Sequence, residues 1–251
     1  MLPLVLAPAA AAGPLVLPSQ PHVEFRQNIG TQIPLDALLR DENDRRVQLS
    51  TYFGTVPVVL VLGYYRCPNL CETELQSVLQ VLSALPLAND TYRLVAVSID
   101  PRETAADARQ RKARYSSTDG VWSTRLHLMR GDGATVARIA DVSGFQYAYD
   151  RNADQYVHPA GFLVASPDGR ISRYFLGVAH SARDLRLALV EASEGRLGTP
   201  VDRLVLICSH YDPATGRYSV AVMNTVRAVS LVLLMLLGAW LWRRQRRGGP
   251  A

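Results

Sequence analysis

The chain has little net charge outside its extreme C-terminus. Its 251 residues include 27 Lys or Arg and 22 Asp or Glu, a formal net charge of +5. Arg243, Arg244, Arg246 and Arg247 supply four of those five charges, leaving a nearly neutral body. Such a body has no basic stripe with which to follow a phosphate backbone, which excludes nucleic acid as a partner. Lys112 is the sole lysine, an arginine bias typical of GC-rich bacterial genomes that carries no functional information. No internal repeat is visible. The first twenty residues, MLPLVLAPAAAAGPLVLPSQ, lack the positive n-region of an export signal, yet have its apolar length and small residues for cleavage at Ala10-Ala11-Ala12. Residues 1–20 are read as a signal or apolar leader.

What is present centres on Val56 to Leu85, VPVVLVLGYYRCPNLCETELQSVLQVLSAL. Val56 to Leu62 is apolar at nearly every position, the pattern of a central strand covered on both faces. Gly63 ends it. Leu75, Val78, Leu79, Leu82 and Leu85 then recur at helical spacing, so the segment after the turn is an amphipathic helix opening on Cys67 and Cys71. Pro68 suits a first helical turn, and Glu72 and Glu74 sit where the helix dipole favours anions. A helical first turn would put both sulfurs on one side, able to share a metal ion or close a disulfide, with unpaired N–H groups nearby to favour thiolates. The alternative is two small buried hydrophobes on a helix's inner face. Gly-Tyr-Tyr-x-Cys-Pro at a strand-to-helix turn favours the first reading, because such a turn is expected to be an exposed rim.

Further strands are expected at Arg46–Leu49, Arg93–Ile99 and Leu126–Met129, with helices at Thr104–Tyr115, polar and solvent-facing, and at Ala134–Val142. Tyr147–Tyr156 reads as an exposed loop. Ala160–Ala165 and Ile171–Phe175 flank Pro167-Asp168-Gly169, a hairpin signal, and Asp184–Ala192 is helical. This order specifies an α/β domain with a mixed sheet flanked by helices over residues 21–195. Residues 196–219 form a connector. From Val220 to Trp242 the chain is nearly all apolar, with Trp240 and Trp242 at one end and the basic tail 243–251 beyond. That is the pattern of a transmembrane helix whose arginines stay in the cytoplasm, a single C-terminal anchor in a bacterial inner membrane, which places the main domain outside the cytoplasm, in the periplasm or another extracytoplasmic space. Arg227 must then snorkel or lie at the outer interface.

Two cysteines at the start of the first helix are the thioredoxin arrangement, although thioredoxins use two intervening residues and this chain has three. His158, just before a strand, is the best candidate to complete a metal site. Two thiolates and an imidazole suit trigonal Cu(I), whereas structural zinc wants a fourth ligand. A lone histidine before a strand is also a common surface residue. Asp100 and Asp150 are turn formers that could orient the site, and Cys208 with His210 could make an auxiliary metal or partner contact, although packing and turn roles are the commoner reading of such residues. A peroxidase would want Thr or Ser three residues before its cysteine, where Tyr64 stands.

The chain resembles the Sco/SenC family of copper-binding thioredoxin-fold proteins through Cys67-Pro68-Asn69-Leu70-Cys71, Val97-Ser98-Ile99-Asp100-Pro101-Arg102-Glu103-Thr104, and His158 ahead of Gly161-Phe162-Leu163-Val164 and Pro167-Asp168-Gly169. The resemblance covers roughly residues 45 to 192. It implies a thioredoxin-like fold, copper held by Cys67, Cys71 and His158, and a role in metallating or reducing the copper A site of cytochrome c oxidase or another copper client. Glu72 and Val157 stand where the family commonly has Pro and Asp, and many members are anchored at the N-terminus. The competing expectation is an exported thiol-disulfide oxidoreductase using Cys67 and Cys71 as its redox pair.

Overall fold

The computed structural model describes residues 23–67, 70–88, 90–116 and 122–196, with 211–212, 217–218, 230 and 235 beyond them; at 70–72, 211–212 and 217–218 it describes the backbone alone. The chain divides into two compact units, residues 1–197 and 198–251.

In the first unit, a short hairpin of β1 (Leu38–Arg40) and β2 (Arg46–Gln48) is followed by a 3-10 turn over Leu49–Tyr52. Then come β3 (Val58–Gly63), α1 (Leu70–Ser83), β4 (Arg93–Ser98), α2 (Ala105–Ser116), α3 (Trp122–Arg125), β5 (Leu126–Met129) and α4 (Gly133–Val142). A second hairpin, β6 (Ala148–Asp150) with β7 (Gln155–Val157), precedes β8 (Gly161–Ala165), β9 (Ile171–Leu176) and α5 (Ala182–Ser193). Five strands form one mixed sheet in the order β5-β4-β3-β8-β9. β3 is central, parallel to β4 and antiparallel to β8.

The unbroken apolar run of β3 follows from that position. Alternate side chains leave opposite faces of a strand, so Val59 and Val61 meet the inner faces of α1 and α5, while Val58, Leu60 and Leu62 meet α4 and the N-terminal segment around Ile33, Leu39 and Leu49. Each such side chain, fully buried, contributes roughly 1.5–3 kcal/mol. A polar residue at any of the five would sit in a core.

Three expectations need correction. Helix α1 begins at Leu70, so Cys67 lies on the preceding loop. The backbone groups there are taken by side chains from the segment after β4: Arg66 N–H donates to Glu103 at 2.6 Å, and Arg111 Nε donates to the Tyr65 carbonyl at 2.8 Å. Nor is the Gly-Tyr-Tyr-Arg-Cys turn an exposed rim. Tyr64 and Tyr65 turn to opposite cores, and Cys67 is only 7% exposed. Tyr147–Tyr156, expected as a loop, contains the β6–β7 hairpin, held by a cluster in which Tyr147 and Tyr149 each pack against Tyr156. Helix α2 is polar as expected, yet it buries Ala108, Arg111 and Tyr115.

In the second unit, β10 (Tyr211–Asp212) pairs antiparallel with β11 (Arg217–Tyr218). Among the described residues no helix is long and apolar enough to cross a membrane. The span expected at 220–242 falls outside them apart from residues 230 and 235, as do Cys208 and His210.

Candidate metal centre

Strand direction assembles the site. Because β8 runs antiparallel to β3, with Val61 opposite Phe162, the chain leaving β3 and the chain entering β8 meet at one end of the sheet. Cys67 lies on the first and His158 on the second. Cys71 follows on α1; its backbone is described and its side chain is not. Among the described side chains no group of three or more His, Cys, Asp or Glu is placed to hold a metal ion.

His158 is half-buried, with its ring edge-on to Tyr64 (centroids 5.9 Å apart) and tilted against Phe145 (5.5 Å). Burial lowers its pKa, opposed by the Pro159 carbonyl and by Cys67, which is near enough to act on the ring electrostatically. The neutral ring is therefore favoured. Nδ1 lies 3.0 Å from the Pro159 carbonyl, an acceptor only, so the proton belongs on Nδ1 and the lone pair on Nε2. A backbone carbonyl that fixes the tautomer in this way is the usual support of a metal-binding imidazole.

The Cys67 loop is held from below. Arg111 donates to the carbonyls of Tyr65 and Cys67, and the Tyr65 hydroxyl reaches the carbonyls of Ala96 and Met129. Beside the loop a cleft of about 400 Å3 is lined by Tyr65, Arg66, Cys67, Asp107, Gln110, Arg111 and Arg114, giving the cysteine end of the site an approach from solvent.

Glu74, expected merely to favour the helix dipole, is a buried member of the site at 2% exposure. Its Oε1 accepts the Gly161 N–H at 2.8 Å, which clasps α1 to the start of β8 three residues after His158. Burial pushes its carboxyl from 4.5 up to about 8, with Cys67 adding to the rise and the Gly161 hydrogen bond opposing it. Gly161 itself has φ +142°, and a Cβ there would stand 2.5 Å from the Phe175 carbonyl oxygen. Only glycine fits. Spacing gives no hint of this clasp, since its partners are 87 residues apart.

Asp100 is also buried, at 2% exposure, and pairs with Arg66 and Arg102. Asp150 is a turn former whose carboxylate accepts the Asn152 N–H. His127 packs on Tyr52 and His180 on Phe162, and among the described residues neither belongs to a group of metal-binding side chains.

A thiol and a neutral imidazole at the edge of an apolar core form a soft donor set suited to Cu(I), and the same thiol can exchange disulfides. Residues 36–190 match the model of the SCO1/SenC family. No curated protein sequence matches the chain. Among solved structures, an Aquifex aeolicus protein is 24% identical with a TM-score of 0.59, covering 67% of this chain and 95% of that one. BsSco, a member of the Sco family of cytochrome c oxidase assembly proteins in which a disulfide switch was identified, is 17% identical with a TM-score of 0.55 over 68% of this chain and 99% of its own. Yeast Sco1 with copper bound is 17% identical with a TM-score of 0.52, covering 70% and 93%. These likenesses establish the fold, a mixed α/β thioredoxin-like domain.

Proposed function

The chain belongs to the SCO1/SenC family, and we propose that it carries copper as cargo on Cys67, Cys71 and His158 and hands it to the copper A site of cytochrome c oxidase. The supporting observation is the meeting of Cys67 with a His158 ring whose burial favours the neutral form and whose Pro159 contact leaves the lone pair on Nε2. The donor types fit: thiolate sulfur and imidazole nitrogen hold Cu(I). Yeast Sco1 has been solved with copper bound, and BsSco is a cytochrome c oxidase assembly protein. The apolar segment 220–242 anchors the domain to a bacterial inner membrane, with the tail 243–251 inside and the copper-carrying domain 21–195 outside. Residues 1–20 serve as its export leader, and 196–219 connect domain to anchor.

The test is His158→Ala. Cu(I) affinity in competition with a chelator should fall by at least about tenfold, equivalent to about 1.4 kcal/mol, while reduction of a disulfide substrate hardly changes. Equal affinity in variant and wild type would remove His158 from the site and favour a thiol-disulfide oxidoreductase working through Cys67 and Cys71. That second reading draws on the solvent cleft beside Cys67 and on the disulfide switch of BsSco.

A further inference from the structure

Arg102 belongs to the Asp-Pro-Arg-Glu-Thr run that follows β4, the same run whose Glu103 accepts the Arg66 N–H beside Cys67. Its guanidinium forms two parallel bonds to the buried carboxylate of Asp100, Nε to Oδ1 at 2.8 Å and Nη2 to Oδ2 at 2.9 Å. The same carboxylate accepts from Arg66 Nη2 at 3.3 Å, so Asp100 also holds the residue immediately before Cys67. On its other side Arg102 reaches the β6–β7 hairpin. Nη1 donates to Asp154 Oδ1 at 2.8 Å and contacts the Tyr149 hydroxyl at 3.1 Å, while the guanidinium stacks on the rings of Tyr149 and Tyr156 at 4.9 and 5.8 Å. Asp154 has φ +49°, a left-handed conformation, and its carboxylate is held by both Arg102 and Tyr149. His158 is the first residue past β7.

We infer that Arg102 is a positioning residue that locks the hairpin carrying His158 to the loop carrying Cys67, so that the imidazole is set against the thiol before copper arrives. The inference rests on the proposed copper role of His158. Two parallel bonds fix the guanidinium in orientation as well as place, and the aromatic stacking fixes the hairpin's height above it. Lysine, a single point charge, cannot reproduce either constraint. Preorganisation of this kind acts through the donor it places: without Arg102 the hairpin samples other positions, and copper must spend binding energy to recover the one that completes the site.

The full-length chain, purified in detergent and reduced, provides the test, with Arg102→Ala made alone and together with His158→Ala. In the wild-type background the substitution should weaken Cu(I) binding about fivefold; in the His158→Ala background it should weaken it less than about twofold, the non-additivity expected when one residue works through another. Equal losses in both backgrounds would mean general destabilisation and would overturn the inference. So would unchanged affinity in the Arg102→Ala protein when His158→Ala alone weakens binding, a result that leaves the copper reading standing. If His158→Ala has no effect, the copper reading falls, and amide hydrogen exchange of the copper-free protein decides the lock independently. Arg102→Ala should speed exchange at least about fivefold in residues 148–157 and leave α5 unchanged; unchanged exchange in the hairpin overturns the lock. Asp154→Asn, which weakens only the hairpin end, serves if Arg102→Ala does not fold.

Discussion

Replacing Glu74 with Gln should remove most of one pH dependence of stability. The folded protein holds the Glu74 carboxyl up to about 8, against 4.5 for an ordinary glutamate, because burial penalises its charged form. A group whose folded pKa is raised stabilises the fold fully below its unfolded pKa and loses that contribution as pH rises to the folded value. Glu74 therefore weakens the fold progressively from about pH 4.5 to about pH 8. At about 1.4 kcal/mol per pH unit the interval from pH 5 to pH 8 corresponds to at most about 4 kcal/mol, and to roughly 3 kcal/mol once the partial ionisation near each end is counted. Gln keeps an oxygen to accept the Gly161 N–H but cannot ionise. The assay is urea unfolding of the reduced, metal-free protein at both pH values. Glu74→Gln should gain about 2–3 kcal/mol over wild type on going from pH 5 to pH 8. If the two proteins change in parallel, Glu74 is not the proton-holding group in the fold, and the clasp from α1 to β8 does not exclude water.

Gly161→Ala should destabilise by about 2 kcal/mol or more, because the new Cβ meets the Phe175 carbonyl at 2.5 Å in a backbone conformation alanine avoids; a loss under about 0.5 kcal/mol in thermal unfolding would contradict the geometry. Arg111→Met should cost about 2 kcal/mol by stripping the buried carbonyls of Tyr65 and Cys67 of their donor, and should hasten alkylation of Cys67 in the reduced protein severalfold; an unchanged alkylation rate would mean the loop is held by something else. Alkaline phosphatase fused after Gly195 should be active and after Arg247 inactive; the opposite pattern would overturn both the anchor and the compartment.

Elements with a strong local signal were legible in advance. The apolar run of β3, the Asp168-Gly169 turn between β8 and β9, and the leucine stripe of α1 all appear within a few residues of where periodicity puts them. The start of α1 does not, because Arg111 and Glu103, from a segment far along the chain, claim the backbone around Cys67. The hairpin before His158 was hidden for a similar reason: its strands are three residues each, and aromatic packing against Arg102 holds them more than any alternating pattern does. Cys67 and His158 stand out in the sequence by residue type and family resemblance. Glu74 does not stand out so, since an acidic residue in a helix's first turns is ordinary until its burial is known; Asp100 reads from sequence only as a turn former that could orient the site, and its 2% exposure is not visible there.

The antiparallel seam between β3 and β8 also imposes an order on events during synthesis. Val61 pairs with Phe162 about a hundred residues later, so the cysteine loop leaves the ribosome long before its imidazole partner. Closing so long a loop is slow compared with forming a local helix. A nascent or truncated chain ending before residue 158 thus carries thiols without the third donor, and the segment that supplies His158 leads straight into β8, which pairs with β3 in the core. Under the proposed function, tight copper loading becomes a late event that only a finished sheet can perform, and the domain is kept from capturing metal while still able to misfold around it.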